Sequence, residues 1–323
     1  MTRIVTCSLK GLPRADRNGR RGELLSRIAG GIRDRCPPVD AVVLPGGYFV
    51  LEGKPEERSP YLKPGFDGRC DMLRYARFAK RATEAAETLN ERCRGALLIF
   101  GVDTRAPKDP SGDQLCVAWS AGGPVGIGRK VFPTQDEGDS GYIVSANDFG
   151  DGRRVVRVGG TRVLLCSCYD GYGIHNDPDK SRYIRKIWTG DTVLSRGEDG
   201  QEFRRCLERC LDRWRGLAGK AGAAAVAIHR FGLTRANGFS TNYWRRHGIA
   251  TAAAVLTPGW VAAGANFECR PPNPGKDILA SHAVEGEFLS IEASRRPIRD
   301  ATPVLEWVEG DEEVRMRLFD FQL

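Results

Sequence analysis

The sequence predicts an α/β protein in which helices pack outside sheets. Three observations predict it. Short apolar runs alternate with amphipathic segments through both halves of the chain. The apolar runs end in glycine, proline or charge, as buried strands do where they turn. The apolar and charged fractions, 41% and 28%, are those of a folded globular chain. At 323 residues the chain can bury a full core without disulfides or metals. It shows neither a clean linker nor a repeat of fixed period, so one domain spanning residues 1–323 is expected.

Taken in order, residues 4–9 read as a first strand. Residues 22–36 carry Leu24, Leu25, Ile28 and Ile32 at helical spacing. Residues 41–44 form a short buried strand that ends at Pro45-Gly46-Gly47. Residues 53–67, rich in proline, glycine and charge, read as a loop. Residues 71–92 predict one long helix, and residues 96–102 and 114–119 two strands. The run 122–128 is rich in glycine but lacks the Lys-Ser/Thr ending of a phosphate loop and the spacing of a dinucleotide fingerprint, so it reads as a turn. Residues 134–151 read as an acidic loop. Residues 153–158 and 161–168 predict a hairpin around Gly159-Gly160. A charged helix over 197–218, a strand over 223–228, a helix over 241–251 and strands over 252–256 and 260–267 follow. The tail, 287–323, alternates enough for two or three more strands.

The formal charge of +8 comes from 49 basic and 41 acidic side chains, and the two signs are interleaved. That pattern reads as a solvated, arginine-rich surface with at most a weak attraction for anions. No recognition helix, RNA-binding strand motif or zinc finger is present, so no nucleic-acid partner is expected. The ten cysteines are irregularly spaced, the N-terminus reads as a strand, and no apolar stretch approaches the roughly 18 residues of a membrane span. A reducing cytoplasm with free thiols and no membrane is the expected setting. Cys206 and Cys210 share a helix face, but zinc would need two further ligands, so they read as a core or incidental pair. The four histidines, His175, His229, His247 and His282, are scattered and read as structural. His229 ends a strand and His175 follows the turn after Cys168, so either could line a pocket, although structural roles are favoured; His175 would be the partner in a rival Cys–His dyad.

The segment that carries chemistry runs from Gly160 to Gly173. Its apolar run ends at Cys168-Tyr169-Asp170 and then glycine. A nucleophile at the end of a buried strand, before a tight turn, is held rigidly with its tip and neighbouring N–H groups facing one space. Cys166 alternates with Cys168 and reads as packing. Lys130, in Gly128-Arg129-Lys130-Val131-Phe132-Pro133, follows a strand and a glycine-rich turn and can project toward the same region. A lysine beside a thiol favours the thiolate and can hold an oxyanion. Glu137, on the loop that follows, could orient Lys130 and keep it charged.

Arg129-Lys130 and Cys168-Tyr169-Asp170 resemble, in order and separation, two motifs of the nitrilase (carbon–nitrogen hydrolase) superfamily, whose members use Glu, Lys and Cys. Gly101-Val102-Asp103 and Val117-Ala118-Trp119 resemble the strands that precede the family's lysine. The resemblance extends from Ile4 to about Phe267. It implies a four-layer α-β-β-α sandwich, association into a homodimer or larger homo-oligomer, and no metal or organic cofactor. It also implies that Cys168 attacks the carbonyl of a small amide or carbamoyl substrate, with Lys130 and the Tyr169 backbone N–H holding the oxyanion. One position departs. Where the family carries Pro-Glu, with that Glu as general base, this chain has Pro45-Gly46. Glu52, Glu56 or Glu57 from the next loop, or Glu137, would then move protons. Otherwise the chain is a catalytically impaired binding or scaffold module on the same fold.

Overall fold

The computed structural model describes residues 1–10, 17–51, 68–104, 114–174, 181–231, 256, 259–267, 283–286, 303–309 and 314–321. Strand β1 (Thr2–Lys10) is followed by α1 (Arg17–Arg35), β2 (Ala41–Val43) and β3 (Phe49–Val50). Helices α2 (Arg69–Met72) and α3 (Ala79–Asn90) precede β4 (Leu97–Asp103), β5 (Gln114–Ser120) and β6 (Gly123–Arg129). Next come α4 (Gln135–Asp139), β7 (Ile143–Ser145), β8 (Val155–Val158), β9 (Thr161–Ser167) and α5 (Asp170–Gly173). Then follow β10 (Lys186–Trp188), β11 (Val193–Ser195), α6 (Gly200–Ala218), β12 (Ala223–Phe231) and β13 (Gly259–Phe267). The last described elements are β14 (Ala283–Gly286), β15 (Leu305–Glu309) and β16 (Val314–Phe321).

The main sheet runs β6-β5-β4-β2-β1-β13-β12-β9-β8. Its central strands, β4, β2, β1, β13, β12 and β9, pair in parallel. The strands β5, β6, β8 and β16 add antiparallel edges. The sheet folds over so that β9 lies against β5 and β6, and β12 against β4 and β2.

Side-chain alternation then divides the core into three apolar interfaces. Ala41 and Val43 of β2 face Val163 and Leu165 of β9 and Ala223, Ala225 and Ala227 of β12 between the two halves of the sheet. Val42 and Leu44 face outward onto Leu25, Ile28 and Ile32 of α1 and Ala82, Ala86 and Leu89 of α3. On the other side Ala224, Val226 and Ile228 of β12 face Phe203, Leu207 and Trp214 of α6. Helices, two sheet layers and helices stack in that order, as the sequence resemblance implied.

Several local expectations are corrected. Residues 71–92 do not form one helix: Ala76 is extended (φ −65°, ψ 145°), which separates α3 from the short turns before it. The break lets Phe78 stack on Phe49 with ring centroids 4.6 Å apart, so tertiary packing overrides helix propensity. The glycine-rich run 122–128 is mostly strand β6, not a turn. A Cβ on Gly126 would meet Val156 at 2.3 Å, and one on Gly128 the Leu165 carbonyl at 2.7 Å, so these glycines serve close approach between sheet layers. The acidic stretch 134–151 contains α4, started by a Thr134–Glu137 capping box, and β7. Strand β14 had no sequence counterpart, whereas β15 and β16 fall in the alternating tail. The expected loop 53–67, the helix 241–251, residues 252–255, His175, His247, His282, Glu52, Glu56 and Glu57 lie outside the described residues. Among the described residues no helix is long and apolar enough to cross a membrane.

Candidate active site

In a parallel sheet the strand ends that share one direction bring their following residues to one edge. Here Gly46, Lys130 and Cys168, which follow β2, β6 and β9, meet Asp103 and His229 from the last residues of β4 and β12 at such an edge. Register fixes the neighbours. Asp103 pairs with Gln114, the first residue of β5, and the Lys130 N–H donates to the Gln114 carbonyl at 2.9 Å. Ser167 pairs with Ala227, and the Cys168 N–H donates to the Ala227 carbonyl at 2.8 Å.

Cys168 has φ 45° and is the one non-glycine residue among those described in the left-handed region. A side chain tolerates that conformation poorly, and such positions cluster at functional sites. The turn is held from beneath by Asp170, which is fully buried. Its carboxylate accepts from the N–H groups of Val131 (2.9 Å), Phe132 (3.0 Å) and Ser167 (3.2 Å) and from Arg154 (3.4 Å). One side chain thereby ties the segment after Lys130 to the segment before Cys168. Tyr169, whose N–H follows the sulfur in the chain, starts the short helix α5.

Lys130 is 1% exposed. Its ammonium donates to Gln114 Oε1 and Glu137 Oε1, both at 2.9 Å, and lies 2.8 Å from Glu137 Oε2. Burial works against the charged lysine, but Glu137 and Cys168 outweigh it and raise its pKa. Glu137 also accepts from Gln114 Nε2 at 2.8 Å and from the Thr134 N–H at 2.8 Å. Burial pushes the Glu137 carboxyl up, and Lys130 together with the Thr134 N–H brings it below the usual range. Glu137 therefore meets Lys130, and its oxygens are engaged there.

Beside the thiol stands a residue that the sequence reading left as structural. His229 Nε2 lies 2.5 Å from Asp103 Oδ1, and Arg17 Nη1 lies 3.8 Å from Asp103 Oδ2. Arg17 also donates to the Gly47 carbonyl. Buried Asn266 donates to the carbonyls of Gly46 (2.8 Å) and His229 (3.2 Å), fixing the two segments together. Burial opposes the imidazolium, yet Asp103 and Cys168 raise His229 to about 9. Burial also raises the Cys168 thiol, but Lys130 and the adjacent His229 ring and N–H outweigh it, so the thiol falls below its ordinary value. Thiolate character of this kind is what a nucleophilic cysteine requires.

The structure thus brings Cys168, Lys130 and Glu137 together, with the Tyr169 N–H next in the chain. Sequence reasoning missed Asp103, Gln114 and Asn266 as site residues, and for His229 it favoured a structural role over a pocket-lining one. The available signal was the position of His229 at the end of a buried strand, together with a glycine at position 46 that leaves space for a neighbour.

No protein-family model matches the chain, and no curated protein does. Solved structures do match. An amidase of the nitrilase superfamily from Nesterenkonia AN1, in a cysteine-to-serine mutant form, aligns with a TM-score of 0.50 at 13% identity, over 99% of this chain and 92% of that one. A carbon–nitrogen hydrolase from Helicobacter pylori G27 aligns with a TM-score of 0.50 at 12% identity, over 98% of this chain and 88% of that one. The C. elegans NitFhit protein aligns with a TM-score of 0.50 at 14% identity, over 99% of this chain and 60% of that longer one. With the layers, strand order and site edge described above, these likenesses give this chain the fold of the nitrilase superfamily.

Proposed function

We propose that the chain is a thiol-dependent hydrolase of non-peptide C–N bonds that acts on a small amide or carbamoyl substrate through an acyl-enzyme at Cys168. The observation that carries this reading is the meeting of a turn-held thiol with a buried, carboxylate-supported ammonium at one sheet edge. The thiolate of Cys168 attacks the carbonyl carbon, and the carbonyl electron pair moves onto oxygen. Lys130 and the Tyr169 N–H hold that oxyanion. Collapse of the intermediate, with the proton given up by the thiol passing to the nitrogen, expels the amine and leaves a thioester, which water hydrolyses to the acid with return of the thiolate. Glu137 keeps Lys130 charged and in place. The names of the aligned proteins, an amidase and a carbon–nitrogen hydrolase, support the reaction class.

The test is ammonia release from a panel of simple amides and carbamoyl compounds, with intact-mass detection of acyl adducts. Wild type is expected to release ammonia and carry the adduct, and Cys168→Ala to do neither. Adducts that persist on another cysteine in Cys168→Ala overturn the assignment. The second reading, a catalytically impaired binding or scaffold module, rests on Gly46. Wild type that yields neither ammonia nor adduct supports it.

A further inference from the structure

We propose that His229 is the catalytic acid and base of this site, its imidazole standing in the space that a side chain at position 46 would occupy and its ring oriented by Asp103. The inference rests on the reading of Cys168 as an acyl-forming nucleophile.

The first support is steric. A Cβ built on Gly46 would lie 2.4 Å from His229 Nδ1, 2.7 Å from the His229 backbone nitrogen and 2.8 Å from the Ala227 carbonyl oxygen. A side chain at 46 and the imidazole where it stands exclude one another. The glycine at 46 and the histidine at 229 are therefore one feature seen from two strands. A loss of function at position 46 alone would leave a hole, whereas here the hole is filled by a group able to transfer protons.

The second support is orientation. Nε2 is committed to Asp103 at 2.5 Å. Asp103 is itself held by Arg17, which also grips the turn at Gly47. Nδ1 is buried and makes no well-aligned hydrogen bond among the described residues. A ring with one nitrogen fixed to a carboxylate and the other left beside a thiol has the layout of a general base, and such bonds often tighten only when substrate binds.

The third support is elimination among the neighbouring described acids. Both oxygens of Glu137 are taken up by Lys130, Gln114 and the Thr134 N–H. Asp170 is fully buried under three backbone N–H groups. Neither faces the sulfur with an oxygen to spare.

The proton path closes. At rest Nδ1 holds the proton given up by the Cys168 thiol, so thiolate and imidazolium face each other. As the thiolate forms its bond to the carbonyl carbon and the C–N bond breaks, the Nδ1 proton passes to the leaving nitrogen. The neutral ring then takes a proton from water as that oxygen attacks the thioester. Expulsion of the thiolate releases the carboxylic acid and restores the starting ion pair. Asp103 stays ionised throughout and acts as a positioning residue.

The test uses the full-length protein and two readouts. The first needs no substrate: alkylation of Cys168 by iodoacetamide across pH, followed by peptide mass spectrometry. The titratable groups that face the ring are Asp103, Cys168 and Glu137, with Arg17 and Lys130 acting through Asp103. In His229→Gln the alkylation profile is expected to move to higher pH by about one unit or more, since one of the two cations that favour the thiolate is lost. The second readout is p-nitrophenyl acetate, followed for its acylation burst and its steady turnover. His229→Gln and Asp103→Asn are expected to keep a burst while turnover falls about 10² to 10⁴-fold. Added imidazole is expected to restore part of the turnover in His229→Gly. If His229→Gln does not fold, Asp103→Asn carries both readouts. An unmoved alkylation profile, or turnover within about threefold of wild type, overturns the proposal. Wild type that cleaves no amide while His229→Gln shifts the alkylation profile would sink the C–N hydrolase reading and still support the histidine pairing.

Discussion

Gly46 exemplifies how a residue with no side chain decides what its neighbours can do. Its backbone is gripped by Asn266, and a Cβ on Gly101 would strike its Cα at 2.4 Å, so the Pro45–Gly46 turn cannot back away. We expect Gly46→Ala to displace the His229 ring, lowering turnover at least tenfold and stability by about 1–3 kcal/mol, the usual cost of an overpacked site. Gly30, in α1, is the control, because a Cβ there meets nothing within 4 Å. Gly30→Ala should raise stability by up to about 1 kcal/mol, as removing a helix-interior glycine does, and leave turnover unchanged. Urea denaturation and steady-state kinetics on both variants check the pair, and a harmless Gly46→Ala would refute the steric argument. At this scale the sequence was legible where a residue announces its own chemistry. Cys168, Lys130 and Glu137 could each be singled out from strand ends and turns. His229 could not, because its meaning depends on which strand lies beside β9 and on a gap left by position 46 in the turn after β2.

Among the elements, α6 shows how a helix remote in sequence steadies the nucleophile's turn. Phe203, Cys206, Leu207, Cys210, Trp214 and Leu217 recur along one face and are buried. Cys206 and Cys210 pack in this stripe, as the helical spacing suggested. From its end Trp214 donates Nε1–H to the Gly173 carbonyl at 2.9 Å, and Arg154, the partner of Asp170, lies 4.9 Å from the indole ring centre. Trp214→Phe keeps an aromatic ring but orphans that carbonyl. A loss of about 1–3 kcal/mol is expected from the buried unsatisfied group. A fall in turnover larger than any change in KM should accompany it. A denaturation midpoint equal to that of wild type would show that the carbonyl finds another partner. Elements with a clear period, such as α6 and β12, were legible to within three residues, whereas α1 begins five residues before the helix that its apolar spacing outlined. The helix break at Ala76 and the strand character of residues 123–129 were not. The first follows from the aromatic cluster around Phe49, and the second from glycines that serve the opposite layer rather than a bend.

At the scale of the whole molecule, alternation of apolar side chains on β2 and β12 made the layered class readable, since each strand offers one face to a helix and one to the other half of the sheet. What alternation could not supply was the fold-over that sets β9 against β5 and β6. That step brings Lys130 near Cys168. It also assembles Arg17, Lys130 and His229 with Asp103, Glu137 and Cys168, three groups of each sign when the thiol and ring are ionised. Arg154 and Asp170 beneath them cancel as well. The formal +8 of the chain is carried elsewhere. Seen from solution, such an array is close to electrically silent: it offers an uncharged amide strong local fields once docked but little pull at a distance. Turnover of a neutral substrate at limiting concentration should then stay flat as ionic strength rises from about 0.1 M to about 1 M, although the screening length shrinks from about 10 Å to about 3 Å. A steep decline over that range would mean that the natural substrate is drawn in by charge and carries one of its own.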